Sequence, residues 1–197
     1  MSIKYILKPS LTLFIIAAIT IAALSVVYSL TLEPIEKQKQ KVQEAAMREV
    51  LPQASGYKEI PLTNSLPEFR SGIVAVYEGE NHGKLTGYVV QLSREGYGGN
   101  IDLMVGISAP SVTGDITGEK ITGMRVLRHS ETPGLGALAV KEKFYRRYDG
   151  KDLVPLEVVR KSPGENEIQA ITSATITSRA ITSAVNEAIE WYRGGRK

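Results

Sequence analysis

The chain has 197 residues, 43% hydrophobic and 23% charged, enough for one compact domain with an appendage, and it contains no cysteine. Without thiols, a disulfide framework, cysteine-bound iron–sulfur clusters and CxxCH haem attachment are excluded, and His82 and His129 are the only imidazoles, so metal catalysis is not expected. The pI near 9.0 comes largely from the N-terminal segment, where residues 1–30 hold Lys4, Lys8 and no acid; the remainder has 22 basic against 21 acidic residues, too balanced a surface for nonspecific nucleic-acid binding.

Leu11 to Leu30 is a run of 20 residues with no charge, Gly or Pro. At about 1.5 Å rise per residue it matches a hydrocarbon core roughly 30 Å thick, which predicts a transmembrane helix over 11–30 after a short tail, 1–10. A cleaved signal peptide is the rival, but its apolar region should run only about 7–15 residues and no clean small-x-small site precedes the charged stretch. Lys4 and Lys8 on one side face Lys37, Lys39 and Lys41 on the other, so the charge rule barely decides orientation. The short tail suits the cytoplasmic side, with the long domain translocated.

Pro34 opens a polar segment rich in helix formers and closed by Pro52, with only a thin apolar stripe of Ile35, Val42, Ala46 and Val50. A helical stalk over 31–52 is expected. Its charges read as a solvated helix face, the lipid-binding patch being the rival.

Strand-like runs follow at Gly72–Tyr77, Thr86–Leu92, Ile101–Ile107, Ile121–Leu127 and Leu156–Val159, separated by Gly- and Asn-bearing turns, and they predict a mostly antiparallel sheet. Helical patterning returns at Ala137–Tyr148 and at Thr177–Tyr192, where Ile181, Ala184, Val185, Ala188 and Ile189 share one face. The fold class is therefore α+β, with flanking helices on the sheet of a domain over 53–197.

Three segments stand out chemically. Thr172, Ser173, Thr175, Thr177 and Ser178 place five hydroxyls within seven residues at a helix start. Such a start offers free N–H donors and a positive dipole end, so the segment either binds a phosphate or simply caps the helix. His129-Ser130-Glu131-Thr132-Pro133-Gly134-Leu135-Gly136 lies between a strand and a helix; its backbone could take a flat ligand, or its glycines and Pro133 only shape a tight connection with Leu135 docked in the core. Gly96-Tyr97-Gly98-Gly99-Asn100 reads as a hairpin turn whose tyrosine could stack on a ring. No GxGxxG, no GxxxxGK[ST] and no recognisable Ser/His/Asp set is present, and the spacing of His129 and Glu131 is no acid–base signature.

Taken in this order, with the N-terminal apolar run and the strand GYGGNIDLMVGI, the turn HSETPGLG and the segment TSATITS resemble the FMN-binding domain of the G subunit of Rnf-type ferredoxin:NAD oxidoreductase complexes and of the C subunit of sodium-translocating NADH:quinone reductase. The length is more similar to the Rnf G subunit. The resemblance implies FMN held covalently, its phosphate esterified to the last threonine of a motif usually reading [S/T]GAT, which falls on Thr175. Ser173 stands where glycine is usual, and Gln169 where an upstream aspartate often occurs. Thr172, Ser173, Ala174, Thr177 and Ser178 would then surround the phosphate, while Glu131, Thr132, Pro133, Gly134 and Leu135 border the isoalloxazine and Tyr97 lies within reach. No metal site and no catalytic acid or base is implied.

A threonine hydroxyl is a poor nucleophile without an activating group, and none is visible near Thr175, so the resemblance implies a separate flavin transferase. The expected function is an electron-carrying subunit of an ion-translocating complex in the cell membrane, with an extracytoplasmic FMN domain and other Rnf subunits as partners, among them another flavin-carrying membrane subunit. It would be a carrier more than a self-contained enzyme. The alternatives are a C-type subunit of sodium-translocating quinone reductase, a stand-alone extracytoplasmic reductase, and, from another class, an anchored scaffold whose Thr/Ser segment is only a capped helix.

Overall fold

A computed structural model describes residues 4–61, 72–110 and 119–194. The first element, α1, runs over Lys4–Val50 with Pro9 and Pro34 inside it, so the expected span and stalk belong to one helix. By contacts the chain divides into two compact units, one ending at Val42 and one beginning at Gln43.

In the first unit, the apolar stretch of α1 leaves its large side chains exposed, Leu11, Phe14, Ile19, Leu24 and Leu30 among them. This is the one helix among the described residues that is long and apolar enough to cross a membrane. Its few hydroxyls bond back to the preceding turn: Thr20 donates to the Ile16 carbonyl, Ser29 to Ser25 and Thr31 to Val27, each at 2.9 Å. That pattern leaves no hydroxyl proton of these three seeking a partner outside the helix. Farther along, Lys37 pairs with Glu33 at 2.6 Å and Lys39 with Glu36 at 3.4 Å, exposed pairs one turn apart and worth a few tenths of a kcal/mol each at most.

The second unit is built on a five-stranded antiparallel meander of β1 (Gly56–Ile60), β2 (Ile73–Asn81), β3 (Lys84–Glu95), β4 (Asn100–Ser108) and β5 (Ile121–Arg128), in that spatial order. His82 (φ +50°) and Gly83 (φ +76°) form the two-residue turn between β2 and β3, a pair of left-handed residues that matches the twist of adjacent strands. One of the two histidines is thus part of a turn, and no group of three metal-ligating side chains occurs among the described residues.

Alternation along β4 explains its unbroken apolar character. Ile101, Leu103, Val105 and Ile107 pack into the main core on one face, while Met104 packs into a second cluster on the other. The main core is closed by α3 (Thr175–Gly194), whose Ile181, Ala184, Val185, Ala188 and Ile189 are all buried, as the helical spacing predicts. The Tyr88 ring meets Trp191 and Tyr192 edge-on at 5.6 and 5.7 Å between centroids. On α3, buried Glu187 accepts from the Gly72 amide and pairs with Arg94 of β3.

The second face receives the end of α1. Ala46, Met47, Val50 and Leu51 are buried there, so the folded unit begins at Gln43 and includes the last turns of the expected stalk. Four glycines make the room: Gly79 pairs with Gly87 and Gly106 with Gly123 across the strands. A Cβ on Gly79 or Gly87 would strike the Leu51 side chain, and one on Gly106 the Val50 carbonyl. Ile35 and Val42, from the same sequence stripe, remain exposed.

Between β5 and α3 the expected single helix over Ala137–Tyr148 is instead three pieces: a 3-10 turn at Gly136–Val140, α2 at Glu142–Tyr145 and a 3-10 turn at Arg146–Tyr148. Lys141 is extended (φ −82°, ψ 141°) and breaks the run. Ala139 and Phe144, both buried, would point about 140° apart on a continuous α-helix, and the break lets both reach the core. A short parallel pair, β6 (Glu157–Val159) with β7 (Glu167–Gln169), precedes α3.

Candidate functional site

The tip of the β3–β4 hairpin, the turn after β5 and the first turn of α3 converge on one carboxylate. Oε1 of Glu131 accepts from the backbone amides of Tyr97 (2.8 Å) and Gly98 (3.1 Å), and Oε2 accepts from the Thr177 hydroxyl (2.6 Å). Burial would by itself raise this carboxyl, but hydrogen bonds from Thr177, Gly98 and Tyr97, with His129 close by, outweigh it and hold the group below its ordinary value. His129 serves as a local acceptor for the Glu131 amide at 3.2 Å; with both carboxylate oxygens engaged elsewhere, the two residues are not an acid–base pair.

The glycines of both loops are packing positions around this carboxylate. A Cβ on Gly96 would meet Oε1, one on Gly136 would meet Oε2 and the Thr177 hydroxyl, and one on Gly98 would meet the Ser130 carbonyl. Gly134 has a different duty: at φ +79°, with open space around it, it turns the chain. The turn leaves Leu135 42% exposed, not docked in the core.

At the start of α3 the five hydroxyls separate into two groups. Thr177 is committed to Glu131, and Ser178, fully buried, accepts from the Ile171 amide (2.9 Å) while donating to the Ala174 carbonyl (3.0 Å). Thr172, Ser173 and Thr175 make no side-chain hydrogen bond among the described residues, and of these Thr175 alone is half-buried. The first helical bond runs from the Ser178 amide to the Ala174 carbonyl, so the amides of Thr175, Ile176 and Thr177 precede it without an intrahelical acceptor. Ser173 sits at φ +63°, in the left-handed region that glycine occupies without strain.

A cavity of about 440 Å³ opens here, lined by Tyr97, Glu131, Thr132, Leu135, Gly136 and the run Ser173 to Thr177. Eight of the residues named from sequence are thus gathered around one space: Tyr97, Glu131, Thr132, Leu135, Ser173, Ala174, Thr175 and Thr177. Pro133 and Gly134 lie on the exposed turn, Thr172 on the surface and Ser178 in the core, all outside the lining. The lining adds Gly136 and Ile176, the latter 56% exposed one residue past Thr175, where an apolar side chain at a helix start was the available signal. A larger groove of about 560 Å³, farther along α3, is lined chiefly by polar and charged side chains such as Arg94, Arg179, Glu187 and Glu190, and holds no aromatic ring.

Residues 1–50 match the family model for the RnfG N-terminal region, and residues 96–190 match that for the FMN-binding domain. The chain is 35% identical to the G subunit of the Na(+)-translocating ferredoxin:NAD(+) oxidoreductase complex of Acetobacterium woodii, over 96% of this chain and 93% of that one. The chain belongs to the family of Rnf G subunits. Within that family, the G subunit of the ion-translocating oxidoreductase complex of Methanosarcina acetivorans is 34% identical to this chain, over 95% of each. Among solved structures, the C subunit of the Na(+)-translocating NADH-quinone reductase from Parabacteroides distasonis is 22% identical, with a TM-score of 0.49 over 60% of this chain and 61% of that one. The family implied by GYGG, HSETPGLG and TSATITS is the family found, and the matched FMN-binding region contains the whole cavity lining.

Proposed function

We propose that this chain is the electron-carrying G subunit of a membrane-bound, ion-translocating ferredoxin:NAD oxidoreductase complex of the Rnf type, with FMN joined through its phosphate to the Thr175 hydroxyl. The observation that carries this reading is the state of that hydroxyl: half-buried on the cavity wall and without a partner among the described residues, while Thr177 and Ser178 are engaged in the protein. The surroundings fit the group. Free amides and the positive end of α3 would stabilise a phosphodiester by a fraction of a kcal/mol up to about 2, and Tyr97, Leu135 and Ile176 offer apolar surface to a planar ring.

Bound there, flavin would supply the redox chemistry that no side chain of this chain can. The protein's own part is placement: Tyr97, Thr132 and Leu135 would border the ring, the 173–177 turn would hold the phosphate, and no proton-transfer group is required of the chain. Attachment needs a separate transferase acting on FAD. The Thr175 oxygen bonds to the FMN phosphorus, the pyrophosphate bond breaks, AMP leaves, and the hydroxyl proton passes to a base of the transferase. In this reading residues 11–30 cross the cell membrane once, 1–10 are cytoplasmic, and the folded unit that begins at Gln43 is extracytoplasmic. Its partners are the other Rnf subunits, including a second flavin-carrying membrane subunit, and the lipid bilayer.

The test is the intact mass and in-gel fluorescence of the full chain co-expressed with an FAD-using flavin transferase. The parent should gain one FMN less water, and Thr175→Ala should lose it while still folding. Retention of flavin in Thr175→Ala, or a parent that stays colourless, would overturn the assignment, the second outcome favouring an anchored scaffold.

A further inference from the structure

We propose that Glu131 is a positioning residue, a clamp that locks the β3–β4 tip to the first turn of α3 so that Tyr97 and Thr175 face the same cavity. The inference rests on the reading of that cavity as the flavin site, and it goes beyond it by assigning the geometry of the site to one carboxylate outside the attachment motif.

Three observations carry it. Glu131 is only 6% exposed yet forms no ion pair among the described residues, unlike buried Glu187, which is paired with Arg94. Its charge is met by two backbone amides and one hydroxyl, donors from segments 34 and 46 residues distant. A buried ionised group outside any ion pair is costly, and a well-packed apolar side chain commonly serves stability as well or better, so stability alone gives no reason for a carboxylate here. Second, Gly96, Gly98 and Gly136 are held in such close approach to Glu131 or Ser130 that none has room for a Cβ. The surrounding backbone is shaped around the clamp.

Third, the two ends of the clamp sit next to the two groups that need aiming. Tyr97 is 73% exposed, so its side chain is little constrained by packing, and the bond to its own amide fixes where it is launched. Thr177 is 1% exposed and lies two residues beyond Thr175, about 200° around the helix. Anchoring Thr177 to Glu131 sets the rotation of the turn and thereby where Thr175 lies on the cavity wall.

The experiment uses the full chain in detergent, with and without co-expressed flavin transferase, as the parent and as Glu131→Gln, Thr177→Val and Thr177→Ser. In the flavin-free protein, hydrogen exchange at 96–99 and 173–177 should accelerate together, at least fivefold, in Glu131→Gln and in Thr177→Val, and Thr177→Ser should restore the parental rates. In the flavin-loaded protein, visible circular dichroism per attached flavin should fall at least twofold in the first two variants and recover in Thr177→Ser. Acceleration confined to one segment, or unchanged dichroism in both Glu131→Gln and Thr177→Val, would overturn the clamp. Should Glu131→Gln not fold, the Thr177 pair decides it by the same readouts. A parent without flavin would instead fell the site reading, and the exchange measurement would still decide whether the two segments are coupled.

Discussion

Gly106 of β4 lies directly beneath the backbone carbonyl of Val50, the last residue of α1, and has no room for a side chain. The Thr122 hydroxyl donates to the same carbonyl, and Gly123 packs against the Val50 Cα. Replacing Gly106 by Ala forces this joint apart, because the obstacle is backbone and cannot rotate away. Gly106→Ala should cost about 1–3 kcal/mol, as overpacking usually does. Gly56→Ala, where nothing lies within 4 Å, should stay within about 0.5 kcal/mol of the parent. Denaturant unfolding of both variants checks the contrast.

Ser173 offers a substitution in the opposite direction. A non-glycine residue in the left-handed region is strained by about 1–2 kcal/mol, partly offset by the extra freedom glycine has when unfolded. Ser173→Gly should therefore leave stability equal or raise it by up to about 1 kcal/mol, and should accept flavin at least as readily. Unfolding and attachment rate measured on one preparation test both halves. A marked loss of attachment would mean that the Ser173 hydroxyl makes a contact the transferase or cofactor needs.

The lowered Glu131 carboxyl has a pH signature. A group whose folded value lies below its unfolded value stabilises the fold fully above the unfolded value, here near 4.5, and loses that contribution as pH falls through the folded value. The stability difference between the parent and Glu131→Gln should thus be constant from pH 7 down to about 5 and shrink progressively below that. Denaturant unfolding of the flavin-free proteins at stepped pH measures it. A difference that grows on acidification would reverse the assigned direction.

The orientation of the chain is open to direct measurement. Protease added to intact spheroplasts should cut beyond residue 31, since the proposed topology puts the domain outside. Complete protection, with cleavage only in inverted vesicles, would reverse the topology and the electron path with it.

Local pattern was enough for much of the molecule. The apolar run Leu11–Leu30, the alternation through Ile101–Ile107 and the single buried face of α3 were readable because each is written in near neighbours, at the 3.6- or 2-residue period of the element itself. Weakly patterned elements escaped: β1 is a sheet-edge strand with no fully buried residue, and β7 is three residues long. The family motifs were likewise contiguous, and they gathered the cavity lining from three places in the chain before any contact between them was known.

Tertiary structure decided which face of the sheet takes Val50 and Leu51, because a glycine row across four strands is a property of register, not of any one strand. It also sorted the hydroxyls of TSATITS, which look equivalent in sequence. Thr177 belongs to a carboxylate 46 residues away and Ser178 to the core, leaving Thr175 open to the cavity. It further showed that the Glu131 carboxylate accepts hydrogen bonds from two other segments of the chain. Hydrogen bonds between segments so far apart leave no periodic trace along the chain; they exist only once packing has brought donor and acceptor together and removed the water that would otherwise compete for them.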